Sequence, residues 1–164
     1  MADVTLEISG GLFNYKVGAI ILNKEKVLMI KNDEFPYYYT VGGRVQFGET
    51  SEDTVLRETF EETNVVFEVE RLAFIHENFF IADFMENKYC HEIALYYLMK
   101  KSSGLNNLFC NSTGGNGEIE SLHWLSINEL SKYPVFPEFY KTELQNLSNE
   151  VLHFITKDGV TTRA

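Results

Sequence analysis

The sequence predicts an α/β fold in which a mixed β-sheet is sandwiched between α-helices. Three observations carry this. Apolar runs of strand length alternate with stretches of helical period, which calls for layers of both kinds. Hairpin signals between the runs are too frequent for a purely parallel sheet. The chain has 164 residues, 45% of them hydrophobic, enough for one sizeable core, so a single domain over 1–164 is expected.

The elements follow in chain order. YKVGAIILNKEKVLMIKN gives two β-runs, 15–22 and 26–31, and the polar Asn23–Glu25 between them marks a tight hairpin. DEFPYYY is a loop running into a short strand, with Pro36 in its irregular part. Ser51 to Thr63 turns helical: Thr50 or Ser51 can cap the N-terminus, and Glu52 and Asp53 suit the positive end of the helix dipole. Leu56 and Phe60, flanked by Thr59 and Thr63, are read as the core stripe of that helix, with Glu58, Glu61 and Glu62 on the side away from it. Two β-rich segments follow around a turn at Met85–Lys88. SSGLNNLFCNSTGGNG is a long loop, EIESLHWLS a strand, and INELSKY a short helix ended by Pro134. PEFYKTELQNL reads as a second helix with Pro137 at its first position, VLHFIT as a last strand, and the remaining residues as a frayed polar end.

Charge and composition exclude several function classes. The formal net charge of −10 repels nucleic-acid backbones and anionic membrane surfaces, so neither a duplex nor a bilayer is the expected partner. A polyanionic small molecule would need cations to bring it in, which favours a metal-dependent site over a bare phosphate cradle. Cys90 and Cys110 lie far apart, fit no metal-ligand spacing, and read as buried free thiols. MADVTLEISGG lacks the positive start and apolar core of a signal peptide, and runs such as IALYYLM are too short to cross a membrane, so a soluble cytoplasmic protein is expected.

The chemistry concentrates in GGRVQFGETSEDTVLRETFEETNV, residues 42–65. Gly42 and Gly43 permit positive φ and close approach of the backbone to an ion or phosphate. Glu58 and Glu62 are one helical turn apart with Glu61 beside them, and like charges at that spacing repel. Such a face is either solvated or shares a cation. Oxygen-rich clusters of this kind suit Mg²⁺, with Mn²⁺ as a substitute.

Gly43, Glu49 and Arg57-Glu58-Thr59-Phe60-Glu61-Glu62-Thr63-Asn64-Val65 resemble the Nudix box, G-x5-E-x7-R-E-U-x-E-E-x-G-U, where U is a bulky apolar residue. The glycine, Glu49, Arg57, Glu58, Glu61, Glu62 and Val65 match at the family spacing over 43–65. The strands before the box and EIESLHWLSINEL after it extend the likeness over most of the chain. Three positions depart: Thr59 replaces a larger aliphatic residue, Asn64 the glycine after the helix, and Val41 a proline that often precedes the glycines. Asn is the next most tolerant residue at a left-handed helix stop, so Asn64 is expected to end the helix.

The resemblance implies the Nudix fold and a pyrophosphohydrolase that cleaves a nucleoside diphosphate linked to a group X. In that family a metal-bound water attacks phosphorus. The implied metal residues are Gly43, Glu58, Glu61 and Glu62. The implied catalytic residues are Glu58, Glu61 and Glu118, the last lying six residues before Trp124, with Glu120 as its alternative. Arg57 is implied to pair with Glu49, tying the glycine loop to the helix. Arg44, Tyr39 and Glu92 are substrate-binding candidates, each weighed against a plainer role: an exposed loop arginine, strand packing, and a mid-strand carboxylate beside His91. Tyr37 and Tyr38 read as strand packing and Trp124 as core, while His76 and His123 carry no ligand spacing.

Marks of particular substrates are missing. Phe80 and Ile81 stand where ADP-ribose members tend to carry proline, and Ala82 and Asp83 where dinucleoside polyphosphate members tend to carry tyrosine. A nucleoside triphosphate or small nucleotide derivative is therefore the favoured substrate. The alternative is a sensor of the same fold that binds a nucleotide without cleaving it. A homodimer is compatible with the aromatic-rich strands, and no residue decides it.

Overall fold

A computed structural model describes residues 2–82, 87–108, 117 and 119–164, with the backbone alone at 106 and 107. Its strands form two sheets. The larger is built from β1 (Thr5–Ile8), β2 (Gly11–Ile20), β6 (Val69–Ala82), β7 (Lys88–Met99), β10 (Leu152–Lys157) and β11 (Val160–Arg163), in the order β1-β2-β7-β6-β10-β11. It is mixed: β2 runs parallel to β7 and β6 parallel to β10, while the other neighbours are antiparallel. The smaller comprises β3 (Leu22–Asn23), β4 (Lys26–Asn32), β5 (Tyr38–Thr40), β8 (Glu120–Ser126) and β9 (Val135–Phe136), with β4 at its centre. The α/β class with mixed sheets is thus the observed one.

Strand β4 shows why its sequence is a continuous apolar run. Val27, Leu28, Met29 and Ile30 are all fully buried. Val27 and Met29 enter a core with Phe74, Tyr96, Phe139 and Tyr140, whereas Leu28 and Ile30 enter another with Val17, Val41, Val55 and Tyr97. A strand buried on both faces alternates between cores rather than between core and water, and each such side chain contributes about 2 kcal/mol relative to exposure.

Helix α1 (Ser51–Thr63) has the bounds that the capping chemistry predicts. The Thr50 hydroxyl accepts from Asp53 N–H at 3.1 Å, and Asn64 adopts φ 56° and ψ 24° with its N–H on Phe60 O at 2.8 Å. Its buried face differs from the expected stripe. Thr54, Val55, Thr59, Glu62 and Thr63 are buried, Leu56 is half-buried, and Phe60 is 48% exposed. The threonines tolerate burial because their hydroxyls bond back into the helix, Thr59 to Val55 O at 2.5 Å and Thr63 to Thr59 O at 2.6 Å. Glu62 goes inward because the glycine loop lies on that side and offers it a donor.

Other expectations change in detail. The second helix is a single turn, α2 (Tyr140–Glu143), followed by a 3-10 turn over Leu144–Asn146, and Pro137 stands before it. INELSKY is a 3-10 turn, Ile127–Lys132. Residues 160–163, read as a frayed end, form β11, and β1 adds an edge strand that the alternation did not reveal. Cys90 is buried and free, while Cys110 and positions 85 and 86 of the expected turn lie outside the described residues.

Candidate active site

The site is built where the loop after β5 crosses β2. Val17 N–H donates to Gly43 O at 2.9 Å and Ala19 N–H to Val41 O at 2.7 Å. Gly42 has φ +139°, and a Cβ there would stand 2.3 Å from Val17 O, so only glycine lets the loop lie this close. Its N–H donates to Glu62 Oε2 at 2.7 Å. At Gly43 a Cβ would meet the Glu58 carboxyl carbon at 2.4 Å, so the Glu58 carboxylate packs directly on the glycine backbone.

Arg57 sits between the remaining carboxylates. Its Nε donates to Glu49 Oε1 at 2.9 Å and its Nη2 to Glu49 Oε2 at 3.0 Å, a bidentate pair. The same guanidinium donates through Nη1 to Glu58 Oε1 at 2.7 Å and Glu61 Oε2 at 3.2 Å. Glu49 also accepts from the Thr54 hydroxyl at 2.9 Å. The Arg57 hydrogen bond holds the Glu49 carboxyl down at about 2, and Glu49 in turn pushes the Arg57 pKa up. These contacts join the loop to the helix through charge-assisted bonds.

Glu58 and Glu62 are displaced the other way. Burial raises the Glu58 pKa, against the pull of Arg57. Burial raises that of Glu62 well above the ordinary carboxylate range; the Gly42 N–H opposes this, while the charges of Glu58 and Glu120 add to it. Glu62 is 7% exposed, and its Oε1 has no hydrogen-bond partner among the described residues. The Glu61 side chain is 55% exposed.

The fit of a divalent cation can be judged from this donor set. A buried carboxylate with one N–H donor and two acidic neighbours has no ion pair among the described residues, and only the charge of Lys16 acts in its favour. An oxygen-only set is the chemistry that hard cations take. As the side chains stand, no group of three His, Cys, Asp or Glu among the described residues is gathered to hold a metal ion. The physical reason is Arg57, which draws Glu58 and Glu61 onto its own guanidinium. The donor types therefore fit a hard cation.

The other candidates separate. Glu118 lies outside the described residues. Glu120 begins β8, and its Oε1 accepts from the Tyr39 hydroxyl at 2.7 Å, which gives Tyr39 a polar task on the smaller sheet. Arg44 is exposed; its carbonyl accepts from Arg57 at 3.4 Å and its guanidinium is 3.8 Å from Asp3. Glu92, 9% exposed on β7 of the larger sheet, lies 3.8 Å from Lys16 Nζ. Tyr38 packs against the first core beside Tyr133, and Trp124 is half-buried against the second. His76 is buried against Phe139 with Nε2 on Thr156, and His123 bonds Ser121. Thr54 and Lys16 were not singled out in the sequence, since both occupy positions that the box pattern leaves variable or omits.

The NUDIX domain family model matches residues 12–146. A comparison with curated proteins finds no match. Among solved structures, a MutT protein from Bacillus halodurans is 16% identical with a TM-score of 0.60, covering 92% of this chain and 97% of that one. A MutT NUDIX hydrolase from Burkholderia pseudomallei is 25% identical with a TM-score of 0.53, covering 71% and 84%. An ADP-ribose pyrophosphatase from Streptococcus suis is 16% identical with a TM-score of 0.53, covering 87% and 98%. With its family model matched across most of its length and its glycine loop and glutamate helix folded into one unit, the chain belongs to the NUDIX domain family.

Proposed function

We propose that the protein is a divalent-cation-dependent hydrolase of the diphosphate linkage in a nucleoside diphosphate-X compound, with a nucleoside triphosphate or small nucleotide derivative favoured. The observation that carries this reading is Glu62: a carboxylate only 7% exposed, fixed by Gly42 N–H through one oxygen and unpartnered at the other among the described residues. Glu58, Glu61 and Glu62, with the second lone pair of the Gly43 carbonyl, would hold Mg²⁺, or Mn²⁺ in its place. A bound divalent cation supplies Lewis-acid polarisation of the phosphoryl oxygens and offsets the negative charge of the substrate.

The chain's own residues support the rest. Glu58 suits the role of general base for the attacking water, because burial raises its proton affinity. Arg57 and Glu49 keep the loop at a fixed distance from the helix, so the carboxylates keep their relative positions. Arg44, exposed beside the glycines, is a candidate contact for substrate phosphate.

The test is a nucleotide panel assayed for phosphate or nucleotide release with Mg²⁺ present. At least one compound is expected to turn over, and the Glu58→Gln/Glu62→Gln double variant is expected to abolish that turnover while remaining folded. An unchanged rate in the double variant would sink the assignment. Saturable binding of one compound with no turnover of any would favour a nucleotide sensor instead.

A further inference from the structure

The glycine loop runs along the edge of β2 and brings two cations face to face. Val17 N–H donates to Gly43 O at 2.9 Å and Val45 N–H to Tyr15 O at 3.0 Å, which sets Lys16 opposite Arg44 in an antiparallel bridge. A pair flanked by two such bonds is of the non-hydrogen-bonded kind, with Cα atoms about 4.5 Å apart and both side chains on one face. Tyr15, Val17, Val41 and Val45 turn to the second core, so Lys16 and Arg44 stand on the opposite face. Like charges directly opposite each other destabilise a sheet, so this pair, beside the loop that carries Glu58 and Glu62, needs a cause other than folding.

Both cations are held loosely. Lys16 Nζ lies 3.8 Å from Glu92 Oε2, and Arg44 Nη1 lies 3.8 Å from Asp3 Oδ2, beyond the roughly 3.2 Å at which an N–H donates. Among the described residues neither head group makes a hydrogen bond, and the two side chains are 39% and 43% exposed. Arg57, by contrast, is committed to Glu49, Glu58 and Glu61. Lys16 and Arg44 are thus open to an incoming anion.

We propose that Lys16 is a specificity-determining residue which, with Arg44, receives a phosphoryl group beyond the diphosphate linkage, so that X is a phosphate rather than a sugar. The inference rests on the divalent-cation hydrolase reading given above. In that reading the linkage lies with the cation on the glutamate side of the loop, and the nucleoside is uncharged. Only a phosphoryl X brings about two negative charges for a pair of uncommitted cations to meet. A sugar X brings none. The two side chains suit the task differently: the arginine fork can grip two phosphoryl oxygens, while lysine acts as a point charge. Glu92, on β7 to the other side of Lys16, keeps the ammonium over this face.

The test is titration calorimetry, with Mg²⁺ present, of a panel of α,β-methylene nucleoside triphosphates and the matching α,β-methylene diphosphates. The carbon bridge blocks hydrolysis, and the two series differ by one phosphoryl group. The proteins are the wild type, Lys16→Met, Lys16→Arg and Glu62→Gln, with thermal melting alongside. Lys16→Met is expected to raise the Kd of the best triphosphate about tenfold, as loss of one charge-assisted hydrogen bond would, and that of its diphosphate less than about twofold. Lys16→Arg is expected to keep most of the triphosphate affinity, and neither change should lower the melting temperature, since the like-charge pair does not stabilise the sheet. If Lys16→Met weakens both series equally, the lysine serves the linkage that all substrates share and the selectivity for a phosphoryl X is overturned. If Lys16→Met binds both like the wild type while Glu62→Gln does not, the lysine is only a surface partner of Glu92 and this inference falls by itself. If Glu62→Gln binds like the wild type, or nothing binds the wild type, the divalent-cation reading falls and this inference with it.

Discussion

The Gly42 N–H donates to Glu62 Oε2 at 2.7 Å, so the helix carboxylate that turns inward is fixed by the loop that precedes the helix. The two adjacent glycines of that loop then have different tasks. Gly42→Ala places a Cβ 2.3 Å from Val17 O at φ +139°, and backbone on both sides leaves nothing to yield. It is expected to destabilise the fold by about 2 kcal/mol or more, read as a lower melting temperature. Gly43→Ala meets the Glu58 carboxylate first, the far end of a flexible side chain. It is expected to melt close to wild type and to lose hydrolytic activity, because Glu58 must leave its position. Equal losses of stability in the two variants would refute this division.

Arg57→Lys tests the fork rather than the charge. Lysine keeps the positive charge but lacks the geometry to bond both Glu49 oxygens and Glu58 together. The Glu49 pKa is depressed in the fold, from 4.5 to about 2, so its stabilisation is complete above about 4.5 and lost as pH falls toward 2. Melting temperature is therefore expected to fall across that window in the wild type. In Arg57→Lys the slope across the same window is expected to be shallower, because less pairing remains to lose. An identical acid limb in both proteins would show that the bidentate pair does not control it.

The parts of the site set by local chemistry could be read in the sequence, and those set by tertiary packing could not. The ends of α1 follow from Thr50 and Asn64, whose caps involve residues within four positions. The buried double-faced strand β4 announces itself as VLMI. Which face of α1 is buried is a different matter. Residue type alone places Phe60 inside and Glu62 outside, and the glycine loop reverses both by offering a hydrogen-bond donor where the helix meets it. The sequence names Glu120 only as the alternative to Glu118, and its pairing with Asn32 of β4 and its bond to the Tyr39 hydroxyl come from tertiary structure.

His76 gives the fold a second acid-sensitive element, remote in sequence from the carboxylates. It is 4% exposed; Nε2 lies 2.8 Å from the Thr156 hydroxyl, and the buried Nδ1 has no partner among the described residues. Burial lowers its pKa from 6.5 to about 4, so the unfolded chain takes up the proton first as pH falls. Stability from this residue is then full above pH 6.5 and declines toward pH 4, by up to about 3 kcal/mol at 1.36 kcal/mol per pKa unit. His76→Gln is expected to lower the melting temperature at pH 7.5, because it loses packing against Phe139, yet to flatten the slope between pH 6.5 and 4. A slope unchanged by the substitution would place the sensitivity elsewhere.

Glu62→Gln should separate stability from function most sharply. The Glu62 pKa is raised in the fold, so at neutral pH its charged form costs stability, and that cost shrinks as pH falls and the carboxyl takes up a proton. Glutamine keeps an oxygen for the Gly42 N–H and removes the buried charge. Without divalent cation at pH 7.5, Glu62→Gln is therefore expected to melt above wild type. Mg²⁺ should narrow or reverse that order, since a ligand that binds only the folded wild type stabilises it by mass action. Hydrolysis in the variant is expected to fall by about 100-fold or more, equivalent to ~2.7 kcal/mol of lost transition-state stabilisation. Glu61→Gln, whose carboxylate is more than half exposed, should leave the metal-free melting temperature nearly unchanged. A Glu62→Gln protein that melts below wild type without metal would show that the carboxylate is a structural anchor, with the Gly42 hydrogen bond outweighing the cost of its burial.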